Sequence, residues 1–318
     1  MLSLSLLLFA LCTHGSPVAH LQPRTYDDKQ PAVSVNGDVV FVSTRTGNAY
    51  LYMTDVRGRP PQRVTSSVRA ELWPAFDPSG RRIAFTIQGR GLYLLDIGAN
   101  TIKQARTDIA MASFHPSGKK VVGKGAKSNV GGVAVAHLDG SAFGLRTDPV
   151  REARESGIIH QQWSDHDPVF SPDGRKIVWA SRWRAWKISE VTGRKATMEG
   201  PLLFVMDASG KNKRQLSDVP GREPSFRPDG RKIVFSGYYG GIESGWPVGK
   251  RDIFIMHANG TNAKRLTRHP ARDEDPVFTP NGKRIIFVSD RGGNGMRLYI
   301  MNVDGSNVRP LLQQEGRK

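Results

Sequence analysis

A single cysteine, Cys12, stands in the whole 318-residue chain, which excludes a disulfide framework and a thiolate metal site. No hydrophobic run is long enough to span a bilayer. The longest, Met1 to Leu11 (MLSLSLLLFAL), has the shape of a secretory h-region followed by small and polar residues, although no Lys or Arg precedes it. Residues 1–20 are therefore read as a signal peptide and short leader, Cys12 departs with them, and 25–318 is read as one domain. That reading places the protein outside the cell, or in the periplasm of a bacterial source. The sequence has no G-x-S-x-G, no H-E-x-x-H and no paired C-x-x-C, so a nucleophile elbow, a zincin helix and a zinc ribbon are not encoded. Gly118-x-x-x-x-Gly123-Lys124 comes near a phosphate loop, but Gly125 stands where Ser or Thr is required. Acidic residues are scarce: 29 Asp and Glu face 46 Lys and Arg, a formal charge of +17 that invites an anionic partner. Nucleic acid is not expected, because an exported chain without a reading module has no means of selecting it.

Glycine and proline are plentiful by contrast, at 34 and 20, and fall at regular turn positions rather than in a linker. Aligning the turn glycine of Asp165–Ser181 (DHDPVFSPDGRKIVWAS) gives six sites: Gly37, Gly80, Gly118, Gly174, Gly230 and Gly282. Each turn joins two runs of β-branched and aromatic residues, which is a hairpin signal. A second glycine follows each first one (Gly58, Gly98, Gly140, Gly210, Gly260 and Gly305), in segments such as LFVMDASG and LYIMNVDG. Four strands per unit and six units predict an all-β fold, a six-bladed β-propeller of four-stranded blades.

The segments SPDGRKIVWAS, VSDRGG and LYIMNVDGSNVRPL resemble the repeat of the TolB-like propellers (the WD40-like, PD40 repeat), over roughly residues 31–312. That family includes partner-binding, lyase and peptidase-associated members, so the resemblance implies the fold and leaves the function open. Ring closure is expected from residues 24–30 or from the last dozen.

The two glycine series also locate insertions. Within units they stand 21, 18, 22, 36, 30 and 23 residues apart, so units four and five carry extra chain between their second and third strands. Between units three and four the gap is 34, where the others are 20 or 22. In a propeller both kinds of connection emerge on one face, and both turn series on the other. The insertion face thus gathers 148–166, 182–201 and 237–251, with Trp163, Trp183, Trp186, Tyr238 and Trp246, and Trp73 opens beside them. With Arg184 these are the candidate ligand-binding residues, suited to stacking on sugar rings and pairing with carboxylates, or to a protein partner. The plainer alternative is that long loops pack on their own aromatic residues.

One position per unit faces the axial channel: Gln30, Trp73, Met111, Asp167, Glu223 and Asp275, five of them followed by proline. Asp167, Glu223 and Asp275, with Gln162 and Asp165, are candidate ligands for a divalent metal, Ca²⁺ or Mn²⁺, at the channel mouth. Oligogalacturonate lyases, also TolB-like propellers, are similar here: the resemblance implies a metal held by Gln-x-x-His-x-His entering a Pro-x-Phe strand. This chain has Gln162-x-x-Asp165-x-Asp167-Pro168, with Asp at each His position. On that reading His160 or His166 is the base, and Arg182 or Arg184 holds a uronate carboxylate. Alternatively, the axial acids accept backbone N–H groups of a neighbouring blade.

On the opposite face the pair after the turn glycine is basic in five units: Arg81–Arg82, Lys119–Lys120, Arg175–Lys176, Arg231–Lys232 and Lys283–Arg284. This rim is written by the repeat itself. Three functions fit these residues: a monomeric, non-catalytic recognition propeller for an acidic glycan or a protein partner, a metal-assisted lyase of uronate-containing oligosaccharides, and an assembly scaffold.

Overall fold

The computed structural model describes residues 25–125, 131–148, 164–188, 195–239, 242–243, 246–247 and 250–313. The leader lies outside them. Six four-stranded antiparallel sheets follow one another along the chain. They begin at the innermost strands β1 (Asp28–Val33), β5 (Glu71–Phe76), β9 (Ile109–Phe114), β13 (Ser164–Phe170), β17 (Gly221–Phe226) and β23 (Asp273–Phe278). This is the six-bladed propeller that the glycine series predicts. Among the described residues no helix is long and apolar enough to cross a membrane.

The second strand of each blade is the apolar one. Val39, Phe41, Ile83, Phe85, Ile177, Ile233, Phe235, Ile285 and Phe287 are fully buried there. In five blades an aromatic residue of the second strand lies in register with one of the third: Phe41–Tyr52, Phe85–Tyr93, Trp179–Phe204, Phe235–Phe254 and Phe287–Tyr299. Their ring centroids are 5.6 to 6.1 Å apart, the offset range that aromatic pairs favour. Blade three replaces the pair with Gly123 and Ala134. There a Cβ on Gly123 would press into Ile109 and the Ala110 carbonyl, so the strands approach more closely. Apolar clusters then join neighbouring blades, and each such side chain contributes roughly 1.5–3 kcal/mol on full burial.

Every innermost strand carries the same irregularity. The register slips between Lys29 and Ala32, Leu72 and Ala75, His166 and Val169, Arg222 and Ser225, and Glu274 and Val277, and in blade three opposite Val122 and Lys124. Two residues thus oppose one, a β-bulge. The first bulged residue is left-handed in all six blades, with φ of 53° to 57° at Gln30, Trp73, Met111, Asp167, Glu223 and Asp275. Proline follows in five, where the slipped register leaves no ladder bond for its missing N–H to break.

Closure draws on both of the expected segments, through contacts rather than a shared strand. Among the described residues no strand crosses from the last blade to the first, because each sheet is contiguous in the chain. Instead, Val39, Phe41 and Tyr52 pack against Ile286, Val288, Met296, Leu298, Ile300 and Leu311. Asp28 N–H donates to the Met296 carbonyl at 2.9 Å, and Asp27 accepts the Met296 N–H at 2.9 Å. The Arg297 guanidinium lies 3.6 Å from the Tyr26 ring centroid. Gly58, at φ +84°, meets the Leu311 carbonyl so closely that a Cβ would not fit.

The insertion at 182–201 is also a correction. Most of it is ladder rather than loop: β14 (Lys176–Ile188) and β15 (Lys195–Asp207) pair without a break from Lys176–Asp207 to Ile188–Lys195. Seven pairs beyond Ser181–Leu202 extend the hairpin by about 23 Å at ~3.3 Å per residue. In blade five, β18 (Lys232–Tyr239) and β21 (Lys250–His257) lengthen to eight residues each, and a small hairpin of β19 (Ile242–Glu243) and β20 (Trp246–Pro247) lies between them in sequence.

Candidate functional site

The six bulged residues ring the mouth of an axial cavity of about 490 Å³, whose deeper wall includes Phe76, Phe170, Phe226 and Phe278. The left-handed bulge turns the side chains of Asp167, Glu223, Asp275 and Gln30 toward the next blade. Asp167 accepts the Glu223 N–H at 3.3 Å, Glu223 accepts the Asp275 N–H at 3.0 Å, Asp275 accepts the Gln30 N–H at 3.0 Å, and Gln30 accepts the Trp73 N–H at 2.8 Å. Four consecutive blade junctions are thus stitched in one way, by a side-chain acceptor at the bulge. Trp73 has no acceptor to pass on, and Thr86 takes the Met111 N–H at 3.0 Å in its place. Ser236 occupies the equivalent position in blade five, where it donates to Glu223 at 2.6 Å and accepts the Asp275 N–H at 3.1 Å.

Charges around the ring are unevenly compensated. Asp167 is buried, which pushes its carboxyl up against the pull of Arg222 at 3.4 Å. Glu223 is equally buried, but Arg251 at 2.9 Å and the Ser236 hydroxyl hold it below its ordinary value. Asp275 is pushed up to about 7 by burial and by the nearby Glu223 charge. Arg251 also pairs with Glu274, which Arg272 approaches at 3.6 Å. Burial lowers Lys124, which sits in the field of Asp165, Asp167 and Arg222. Among the described residues no group of three or more His, Cys, Asp or Glu is arranged to hold a metal ion.

The candidates named from the sequence separate into three groups. Asp167, Glu223, Asp275 and Trp73 come together on the axis. Asp165 does not join them, because it belongs to a second acid row two residues earlier in the strand. There, 3% exposed, it accepts the Thr147 hydroxyl and the Trp179 indole N–H, the latter at 3.2 Å. Asp28, Glu71 and Asp273 are its buried counterparts: Arg45 and Arg291 clamp Asp28 and Asp273 with both carboxylate oxygens engaged, and Thr65 donates to Glu71. His166 pairs with Ala180 in the ladder, and half-buried Tyr238 pairs with Arg251. Neighbouring Tyr239 is 56% exposed but carries the Arg265 guanidinium 3.6 Å from its ring centroid.

The third group lies where less is described. Arg182, Trp183, Arg184 and Trp186 are placed by backbone register opposite Pro201, Gly200, Glu199 and Thr197, and Trp246 opposite Glu243. His160, Gln162 and Trp163 fall outside the described residues. Sequence reasoning missed Arg222 and Arg251. An Arg directly before the bulge glutamate was the available signal for the first, and for the second there was none, since its role depends on the lengthened ladder of blade five.

Comparison with known proteins agrees with this architecture. Residues 246–318 match the family described as TolB beta propeller domain. A protein TolB homolog of Chlorobium luteolum is 30% identical over 287 residues, covering 88% of this chain and 58% of that protein. The Tol-Pal system protein TolB of Bordetella pertussis is 29% identical over 219 residues, covering 55% and 45%. The chain therefore spans only about half of the length of these relatives. Among solved structures, TolB from Acinetobacter baumannii superposes with a TM-score of 0.64 at 21% identity, over 86% of this chain and 62% of that one. Oligogalacturonate lyase in complex with manganese gives 0.57 at 13%, over 92% and 79%. At these identities the two structures speak for the fold alone.

Proposed function

With a TolB-like six-bladed propeller as the starting point, we propose that this protein is an exported, non-catalytic recognition module that binds a protein partner through its insertion face. The observation that carries the reading is the division of labour between axis and face. The axial carboxylates hold backbone N–H groups and arginines, which makes them parts of the scaffold. The departures from the repeat lie in the paired extension of β14 and β15 and in the insertion of blade five. A ladder of this length offers a partner a preformed surface and loses little entropy on binding. The Bordetella relative is named as a member of a protein system, which supports a protein rather than a glycan as the ligand.

The test is calorimetric titration with the Tol–Pal proteins of the same organism. Wild type binds one of them. A variant in which 183–200 is replaced by Asn-Gly keeps its melting temperature and loses the binding. If the shortened variant bound as tightly as wild type, the insertion face would not be the recognition surface. The lyase reading has its own assay. Polygalacturonate incubated with the protein and Ca²⁺ or Mn²⁺ is expected to give no rise in the ultraviolet absorbance of unsaturated product. A rise would replace recognition with catalysis.

A further inference from the structure

The face opposite the insertions is built differently. The six inner turns, 34–39, 77–82, 115–120, 171–176, 227–232 and 279–284, hold eleven Lys and Arg against four Asp. The basic pairs do not behave as pairs. The second member can be drawn back to an acid, as with Arg82 on Asp77 at 3.1 Å and Lys176 on Asp207 at 2.6 Å. The first member, Arg81, Lys119, Arg175, Arg231 or Lys283, is exposed in all five blades. Among the described residues none of these five has a carboxylate within ion-pair distance.

Three of the four acids in the same turns are tied to backbone. Asp77, Asp173 and Asp229 each accept the backbone N–H of the following basic residue at 3.0 Å. Turn chemistry therefore engages three of the four carboxylates with backbone N–H groups, while the first basic residue of each pair stands exposed without an acid partner among the described residues. Apolar residues of the same turns reach the axis, where Val35, Pro228 and Pro280 line the cavity. Each of the five turns carries a proline one residue after its start, and in blade one the same place is taken by Val35, 62% exposed.

From this geometry we infer that the turn face docks on an anionic lipid surface. A groove binder would need its cations aligned along one track. Five equivalent blades instead spread them in a ring around an apolar centre, which matches a plane of anionic headgroups. Docked in this way, the propeller presents its insertion face away from the membrane. The inference stands apart from the proposed partner, since neither surface shares a residue with the other.

The experiment is co-sedimentation with vesicles of phosphatidylglycerol in phosphatidylcholine, against vesicles of phosphatidylcholine alone. Wild type sediments with the first and not the second, and the affinity falls as salt shortens the screening length. The triple variant Arg175→Gln, Arg231→Gln, Lys283→Gln is expected to bind about 100-fold more weakly, at roughly fivefold per cation removed. The matched variant Arg69→Gln, Arg90→Gln, Arg268→Gln removes as many exposed charges from the opposite face and is expected to stay within about threefold of wild type. Equal losses in both variants would reduce the effect to net charge and overturn the inference. So would equal sedimentation with both vesicles, or retention on an anionic polymer without any on the vesicles.

Discussion

The Asp275 carboxylate in the last blade accepts the backbone N–H of Gln30 in the first, 3.0 Å away. This one contact closes a chain of side-chain acceptors that runs from Asp167 through Glu223 and Asp275 to Gln30. It spans a junction that no strand of the described residues crosses. A residue that looks like half of an acid pair is thereby a tie between the ends of the polypeptide.

Removing the acceptor should weaken the closure. Asp275→Ala leaves the Gln30 N–H without its partner and is expected to lower the unfolding free energy by about 1–3 kcal/mol. Asp275→Asn keeps a carbonyl oxygen at the same place and should cost well under half of that. Urea denaturation of the two variants beside wild type measures both.

The same carboxyl imposes a pH dependence. Burial and Glu223 lift it to about 7 in the folded protein, whereas an unfolded aspartate titrates near ~3.9. Between those values the folded state holds a proton that the unfolded state has lost. Stability therefore falls as pH rises from about 4 to about 7, by up to about 1.4 kcal/mol per unit, and levels off above. Asp275→Asn lacks this slope. The difference between wild type and variant, followed by denaturation across that range, should shrink or change sign in favour of the variant as pH rises.

Most of the fold was legible because the turn glycines are a steric requirement. Gly37, Gly80, Gly118, Gly174, Gly230 and Gly282 all have positive φ, and their spacing counts the blades directly. The bulge was not legible. A following proline steers its predecessor toward extended backbone, so Gln30, Trp73, Asp167, Glu223 and Asp275 read as ordinary strand. Capture of the Gln30, Trp73, Glu223 and Asp275 N–H groups by the neighbouring blade offsets the cost of the left-handed turn there. The hairpin of β14 and β15 was hidden for another reason. Arg182 to Lys187 (RWRAWK) alternates between polar and apolar only as far as Ala185, and its pairing with 196–201 had to be seen in three dimensions. Asp165 and Asp167 looked alike in sequence because nothing in a two-residue spacing reveals that a bulge separates their tasks.

The bulge conformation can be tested where the bulged side chain is not itself an acceptor. Met111 sits at φ 54° and receives its support from Thr86. Met111→Ile places a β-branched side chain in the left-handed region and should destabilise by about 1–3 kcal/mol. Met111→Asn, which tolerates that region, should lose markedly less. Thermal melts of the pair decide between backbone strain and lost packing, since packing alone would favour isoleucine.

The second acid row makes a different prediction. Asp28 is fully buried, with its carboxyl raised by desolvation, and Arg45 clamps it at 2.9 Å beneath the rings of Tyr26, Phe41 and Tyr52. Arg45→Ala strands that carboxylate and should cost about 3–5 kcal/mol. Adding Asp28→Asn removes the stranded charge and should recover part of the loss. A double variant no more stable than Arg45→Ala would show that the arginine acts through packing alone.

The division between axis and face is tested most directly by measuring stability and partner affinity together for two variants: the hairpin with 183–200 replaced by Asn-Gly, and Glu223→Gln. The first should abolish the calorimetric signal with the Tol–Pal protein that binds wild type, while Tm stays within about 2 °C. The second should lower Tm by several degrees and leave Kd unchanged. The reverse pattern, with binding lost in Glu223→Gln and retained in the shortened hairpin, would contradict the account and move recognition to the axis.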